Sequence, residues 1–143
     1  MDDRTTAYVI AAQPAFEDLR QVAAQLAGLL VLAATGSKES APDHPMLLAS
    51  AQVFAQAQDG VKRASAIVSE PARPHFAHVA DAAAALGDAL ARAQAWPLDV
   101  DAVLIPLQQA YAHLQRASHA LPGFPVIEMA QGCCASPSPR AAC

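Results

Sequence analysis

Eleven prolines divide the 143-residue chain into long stretches that are poor in proline, and this division constrains the fold more than any other feature. Proline is tolerated in the first turn of a helix and disfavours helix in the residue before it. Alanine, the strongest helix former and a poor strand former, supplies about a quarter of all residues. The chain is therefore predicted to be all-α, with most prolines near helix ends.

The apolar residues of each stretch recur at intervals of three and four, the spacing that lines one face of a helix. The predicted helices are about 14–34, 45–69, 74–95 and 100–121. Four such helices joined by short connections are typical of an up-down-up-down four-helix bundle. Pro106 lies inside the fourth stretch, so that helix either starts late or is kinked in its first turns. Residues 5–12 could form an extended arm or a helical turn that continues through Pro14, and the helix is the favoured alternative.

Alanine occupies many of the predicted inward positions, so the core is expected to be thin. In the fourth helix the predicted inward positions are Leu104, Leu107, Tyr111, Leu114 and Leu121. Charged residues make up only 15% of the chain, against roughly 25% in ordinary globular proteins. A surface short of charge tends to self-associate, and two-fold dimers are the commonest result. We predict a homodimer that acts as a protein-binding or scaffolding module.

Several other classes of function are disfavoured by the sequence. The net charge of −4, with only nine Lys and Arg residues, argues against a nucleic-acid partner. The best apolar run, residues 27–34, is far shorter than the about 18 residues of a membrane span. A hydrolase elbow, a phosphate-binding loop and a zinc-protease motif are all missing from the sequence. We expect a cytoplasmic protein that is not an enzyme, and its alanine and arginine usage favours a high-GC bacterial genome.

The three cysteines lie close together near the C-terminus, within the stretch QGCCASPSPRAAC. The prolines and serines around them favour a flexible tail over 131–143. The preceding stretch, 124–130, is apolar enough to predict a strap that packs over the end of the bundle or on a partner chain. A single helical domain is thus expected over 1–130.

A metal site is the first alternative to the binding module. Its candidate ligands are Cys133, Cys134, Cys143, His75 and His78. Thiolates and imidazoles bind copper(I) and zinc, and the two histidines lie three residues apart near the start of the third helix. In the competing interpretation they are two partly exposed side chains near a helix start, and the chain then binds no cofactor.

A second alternative comes from the segment HLQRAS, His113 to Ser118. It resembles the active-site helix of histidine phosphotransfer domains, small helical bundles in which an exposed histidine is followed by a basic and then small residues. Gln115 and Ala117 stand where that pattern has leucine and glycine. The resemblance implies phosphotransfer through His113.

Overall fold

The computed structural model describes residues 3–34, 45–95 and 98–121, and within these ranges every regular element is helical. The helices are α1, Asp3–Ala34; α2, Pro45–Ile67; α3, Arg73–Ala93; and α4, Val100–Ala120. A short 3-10 turn, Glu70–Ala72, links α2 to α3. The prediction of an all-α four-helix bundle is confirmed. Among the described helices, none combines the length and the apolar character needed to cross a membrane.

The first helix begins much earlier than its predicted start at Pro14. Residues 5–12 are helical, and Pro14 lies inside α1. Proline removes the N–H that would bond to the carbonyl four residues earlier, here that of Ile10. Both side chains are exposed, so this carbonyl lies on the side of the helix that faces water. A carbonyl on that side is open to solvent, so losing its helical hydrogen bond costs less than it would in the core.

The fourth helix begins at Val100, so a late start after Pro106 is wrong. Asp99 has an extended backbone, and its carboxylate accepts a hydrogen bond from the Ala102 N–H at 3.2 Å. Such an N-cap satisfies one of the free N–H groups of the first turn and fixes where the helix starts. Pro106 lies inside α4 and is buried.

The remaining helix ends differ from the prediction by at most two residues. α2 ends at Ile67 rather than 69, because Ser69 already has an extended backbone. α3 covers Arg73–Ala93 rather than 74–95, and Gln94 is its C-cap.

α1 packs chiefly on α2, and α3 packs chiefly on α4. Gly28 lies against Met46 near the start of α2, whereas Ala15 lies against Gly60 in its second half. This opposite order means that α1 and α2 run antiparallel. The up-down-up-down order of all four helices stays a prediction.

The core is made of leucine, valine and many alanines, as the periodicity indicated. Its largest fully buried apolar side chains include Phe16, Leu19, Leu26, Leu86 and Leu114. One predicted inward position is wrong: Leu104 is 36% exposed, and the neighbouring Val103 is fully buried in its place. Leu107 and Leu114 are buried as predicted, so the buried face of α4 is displaced from the predicted one by less than the about 100° between adjacent residues.

Candidate functional site

A tyrosine and a histidine meet in the core where α1 and α3 begin. The Tyr8 hydroxyl oxygen lies 2.7 Å from His75 Nδ1, and both side chains are buried. The rings meet edge to face with centroids 5.6 Å apart, and Tyr8 makes a second edge contact with Phe76. A polar group inside an apolar core needs a hydrogen-bond partner, and here each ring supplies one for the other.

Both members of this pair are uncharged at neutral pH. Burial, followed by the neighbouring His78, lowers the pKa of His75 to about 4. Burial also raises the pKa of Tyr8 above its ordinary value. The contact is therefore a hydrogen bond between neutral groups, which is the form that apolar surroundings favour.

A second buried hydrogen bond joins the same two regions. The hydroxyls of Thr5 and Ser69 lie 2.7 Å apart, and both residues are buried. Thr5 lies one turn before Tyr8 in α1, and Ser69 lies in the link between α2 and α3. Two buried polar contacts thus fasten the part of α1 that precedes its internal proline to the start of α3.

A pair of histidines lies between α3 and α4. The ring centroids of His78 and His113 are 6.3 Å apart, and the ring planes are inclined by 30°. Both residues are half-buried, but the Nδ1 atom of each is hidden from solvent. Within the described part of the chain, neither Nδ1 atom has a hydrogen-bond partner. We refer to Tyr8, His75, His78 and His113 as the histidine cluster.

An apolar groove lies between the C-terminal half of α1 and the N-terminal half of α4. Its volume is about 390 Å³, and its lining is Ala27, Leu30, Val31, Val100, Leu104, Leu107, Gln108 and Tyr111. Val31 at the rim is 62% exposed. Burial raises the pKa of Tyr111, an effect that the nearby charge of Arg20 partly opposes. The groove is thus an apolar surface with a polar boundary near Tyr111, and we refer to it as the α1/α4 groove.

Searches against protein-family profiles, curated proteins and solved structures found no match to this chain. The α1/α4 groove and the histidine cluster are the two features from which a function can be inferred.

His75 and His78, the two histidines of the predicted metal site, remain neighbours but have different contacts. His75 is not a partly exposed side chain, because it is buried and bonded to Tyr8. His78 lies against His113, and a metal site that uses His75 and His78 stays a prediction. Among the described residues, no group of three or more His, Cys, Asp or Glu side chains could hold a metal ion.

The other predicted ligands, Cys133, Cys134 and Cys143, lie outside the described residues, as do the strap over 124–130 and the tail over 131–143. The structure places the His113 ring against His78, half-buried rather than exposed. Phosphotransfer through His113 stays a prediction.

Sequence reasoning missed the inward position of Tyr8, although a signal for it was present. Tyr8, Ala12, Phe16 and Leu19 follow the same spacing of four and three, and all four are buried. This pattern extends the apolar face of α1 past its internal proline. The pairing of His113 with His78 has no comparable signal, because it depends on how two helices pack.

Replacing Tyr8 by phenylalanine should lower the free energy of unfolding by about 1–3 kcal/mol, because His75 Nδ1 then loses the hydroxyl in the core. Urea denaturation measures the change. Tyr111→Phe is the matched control, since Tyr111 is only half-buried and lines an open groove. Equal losses in the two variants would contradict a special role for the Tyr8 hydroxyl.

Proposed function

We propose that this protein is a binding module that pairs with a second copy of its own chain through the α1/α4 groove. The observation that supports this proposal is the apolar groove itself, with exposed apolar side chains on and beside its rim. Exposed apolar patches on a folded protein are sites of protein association when they are contiguous. Val31 and Leu104 lie in the lining, and the 60% exposed Ile105 follows directly in α4.

The shape of this face favours a second copy over an unrelated partner. In a two-fold dimer the same patch of each subunit forms the interface, so the patch must be complementary to itself. It needs side chains that can insert and space that can accept them. Val31 is exposed in the groove lining, and the groove offers space between α1 and α4. One copy can therefore insert its rim residues into the groove of the other.

The distribution of charge also supports this proposal. The residues that line the groove include no acidic or basic side chain, so closing it would bury no charge. Three exposed ion pairs, Arg20 with Glu17, Arg73 with Glu70 and Arg92 with Asp88, each join residues three or four apart. These local pairs involve no residue of the groove lining, although Arg20 lies near Tyr111 at its boundary.

A matched pair of substitutions in α1 tests the proposal. Val31→Asp places a carboxylate in the groove, whereas Ile10→Asp places one at a 67% exposed site about 30 Å away along the same helix. We expect the wild type to be dimeric at micromolar concentration in sedimentation equilibrium. Val31→Asp should weaken the dimer at least tenfold, because an unpaired charge would be buried. Ile10→Asp should leave the dimer unchanged.

Two results would overturn the proposal. One is a wild type that stays monomeric at a protein concentration 100-fold above the micromolar range in which we expect the dimer. The other is equal weakening by both substitutions, which would place the interface elsewhere. A monomer whose melting temperature falls with Val31→Asp would show that the chain covers its own groove, and the apolar stretch 124–130 would then be the segment to test.

A further inference from the structure

We propose that the α1/α4 groove also binds a free, single-chain fatty acid, which competes with the second copy of the chain. This inference rests on the proposed function in one respect, because the acid would regulate the dimer by occupying the surface that the dimer needs. The ligand itself is inferred from two features that the dimer does not require. These are the length of the groove and the polar groups at one of its ends.

The groove has the dimensions of one acyl chain. Its lining on α4 runs from Val100 to Tyr111, which is about 16 Å at 1.5 Å per residue. A saturated chain with carbon–carbon bonds of about 1.5 Å and angles of about 111° advances about 1.25 Å per bond, so a chain of about twelve carbons is about 14 Å long. The groove volume of about 390 Å³ also falls within the range of about 300–1,000 Å³ that is typical of small-molecule sites.

The polar side chains of the lining lie at one end of the groove. Gln108 and Tyr111 are three residues apart on α4, so they lie on one face of the helix, whereas Val100 at the other end of this lining is apolar. The Gln108 amide and the Tyr111 hydroxyl can each donate a hydrogen bond to a carboxylate. An apolar lining with a few polar groups that fix the orientation of the ligand is typical of small-molecule sites. The groove therefore suits a ligand with an apolar chain and one polar end.

A positive charge lies at the same end of the groove. Arg20 precedes Ala27, the first lining residue of α1, by about 10 Å along the helix, and it lies near Tyr111. Burial raises the pKa of Tyr111, and the charge of Arg20 partly opposes this effect. A charge that favours a phenolate at Tyr111 also favours a carboxylate placed beside it. The polar end of the ligand is therefore expected to be an anion.

Arg20 can bind a carboxylate while it keeps its ion pair with Glu17. Its Nε and Nη2 atoms donate to the same Glu17 oxygen, at 3.0 and 2.7 Å. A guanidinium has five N–H donors, so three are left for a second carboxylate. The Arg20 side chain is half-exposed, and the residues described as lining the groove include no acidic side chain that would repel the ligand.

Titration of the full-length chain with dodecanoate, below the concentration at which it forms micelles, tests the proposal. Isothermal titration calorimetry at neutral pH should show saturable binding of one molecule per chain. Dodecanol has the same chain without the charge, so it should bind at least tenfold more weakly. In sedimentation equilibrium, dodecanoate should raise the dissociation constant of the dimer at least tenfold.

Two arginines in matched surroundings identify the site of the carboxylate. Arg20→Gln should weaken dodecanoate binding at least tenfold and leave dodecanol binding unchanged, because only the pairing of charges is lost. Arg92→Gln is the control, because Arg92 is also 51% exposed and also pairs with an acidic residue of its own helix, Asp88, but lies on α3. It should change the binding of neither ligand. Circular dichroism checks that both variants are folded.

The outcomes separate this inference from the proposed dimer. The fatty-acid site is overturned if the wild type shows no saturable binding of dodecanoate, if dodecanol binds equally well, or if the two arginine substitutions have equal effects. A dimer that persists in saturating dodecanoate overturns the competition. All of these results leave the dimer itself intact. In contrast, a monomeric wild type whose dodecanoate binding depends on Arg20 would overturn the dimer and support the fatty-acid site.

Discussion

Replacing Gly60 by leucine should lower the free energy of unfolding by more than about 3 kcal/mol, because the side chain has no space between α1 and α2. Gly60 is buried in α2, and a Cβ atom built on it would lie 2.8 Å from Ala15 Cβ and 3.4 Å from Ala15 Cα. Alanine has no flexible end that can move aside. The two helix backbones would therefore have to separate. Chemical denaturation with urea measures the loss.

Alanine substitutions at Gly60 and Gly28 should change the free energy of unfolding in opposite directions. Both sites are helical, so each change gains up to about 1 kcal/mol of helix propensity. At Gly28 the new Cβ would lie 3.5 Å from the Met46 sulfur, which is an ordinary contact. Gly28→Ala should therefore stabilise the protein, whereas Gly60→Ala should destabilise it by about 1–2 kcal/mol once the clash with Ala15 is included.

A compensating change separates the clash from other effects. Ala15→Gly removes the methyl group that the Gly60 side chain would meet, so the double variant should recover part of the stability lost in Gly60→Ala. Equal effects of alanine at Gly60 and Gly28, or no recovery in the double variant, would show that the close approach of α1 and α2 is not what requires glycine.

Gly60 also shows where sequence reasoning about the fold ends. The spacing of apolar residues predicted four helices, because periodicity is a property of each segment alone. From the sequence, Gly60 is only a weak point in the middle of a helix. Of the glycines that the structure describes, Gly60 is the one at which an added Cβ atom would lie closest to a neighbouring helix. The distance between two helices depends on the side chains of both, so the sequence of one helix alone does not predict it.

The two histidines of α3 show the corresponding limit for the candidate site. Residues three apart differ by about 60° around a helix, so a shared face is a fair expectation for His75 and His78. That angle is still enough for His75 to enter the core beside Tyr8 while His78 lies against His113 on α4. The choice of neighbours follows from how α1 and α4 each pack against α3. Sequence spacing therefore identified the histidines and not their partners.

Lowering the pH from about 6.5 to 4 should destabilise the protein by about 3 kcal/mol through His75 alone. Its pKa is lowered from 6.5 to about 4 in the folded protein, chiefly by burial. Between these values the unfolded chain binds the proton and the folded chain does not, so stability falls as the pH falls. Each unit of difference in pKa corresponds to 1.36 kcal/mol, which gives the stated magnitude. Urea denaturation at a series of pH values measures it.

The comparison must remove His75 without leaving Tyr8 unpaired. The double variant Tyr8→Phe/His75→Leu replaces both polar groups by apolar ones, which avoids an unsatisfied hydroxyl in the core. Carboxylates contribute their own pH dependence below about 5 in both proteins, including Asp18, whose pKa is raised by burial and by Glu17. The difference between the two pH profiles therefore isolates His75. If the double variant loses stability as steeply as the wild type between pH 6.5 and 4, the protonation of His75 is not coupled to unfolding, and the Tyr8–His75 contact must survive in a charged form.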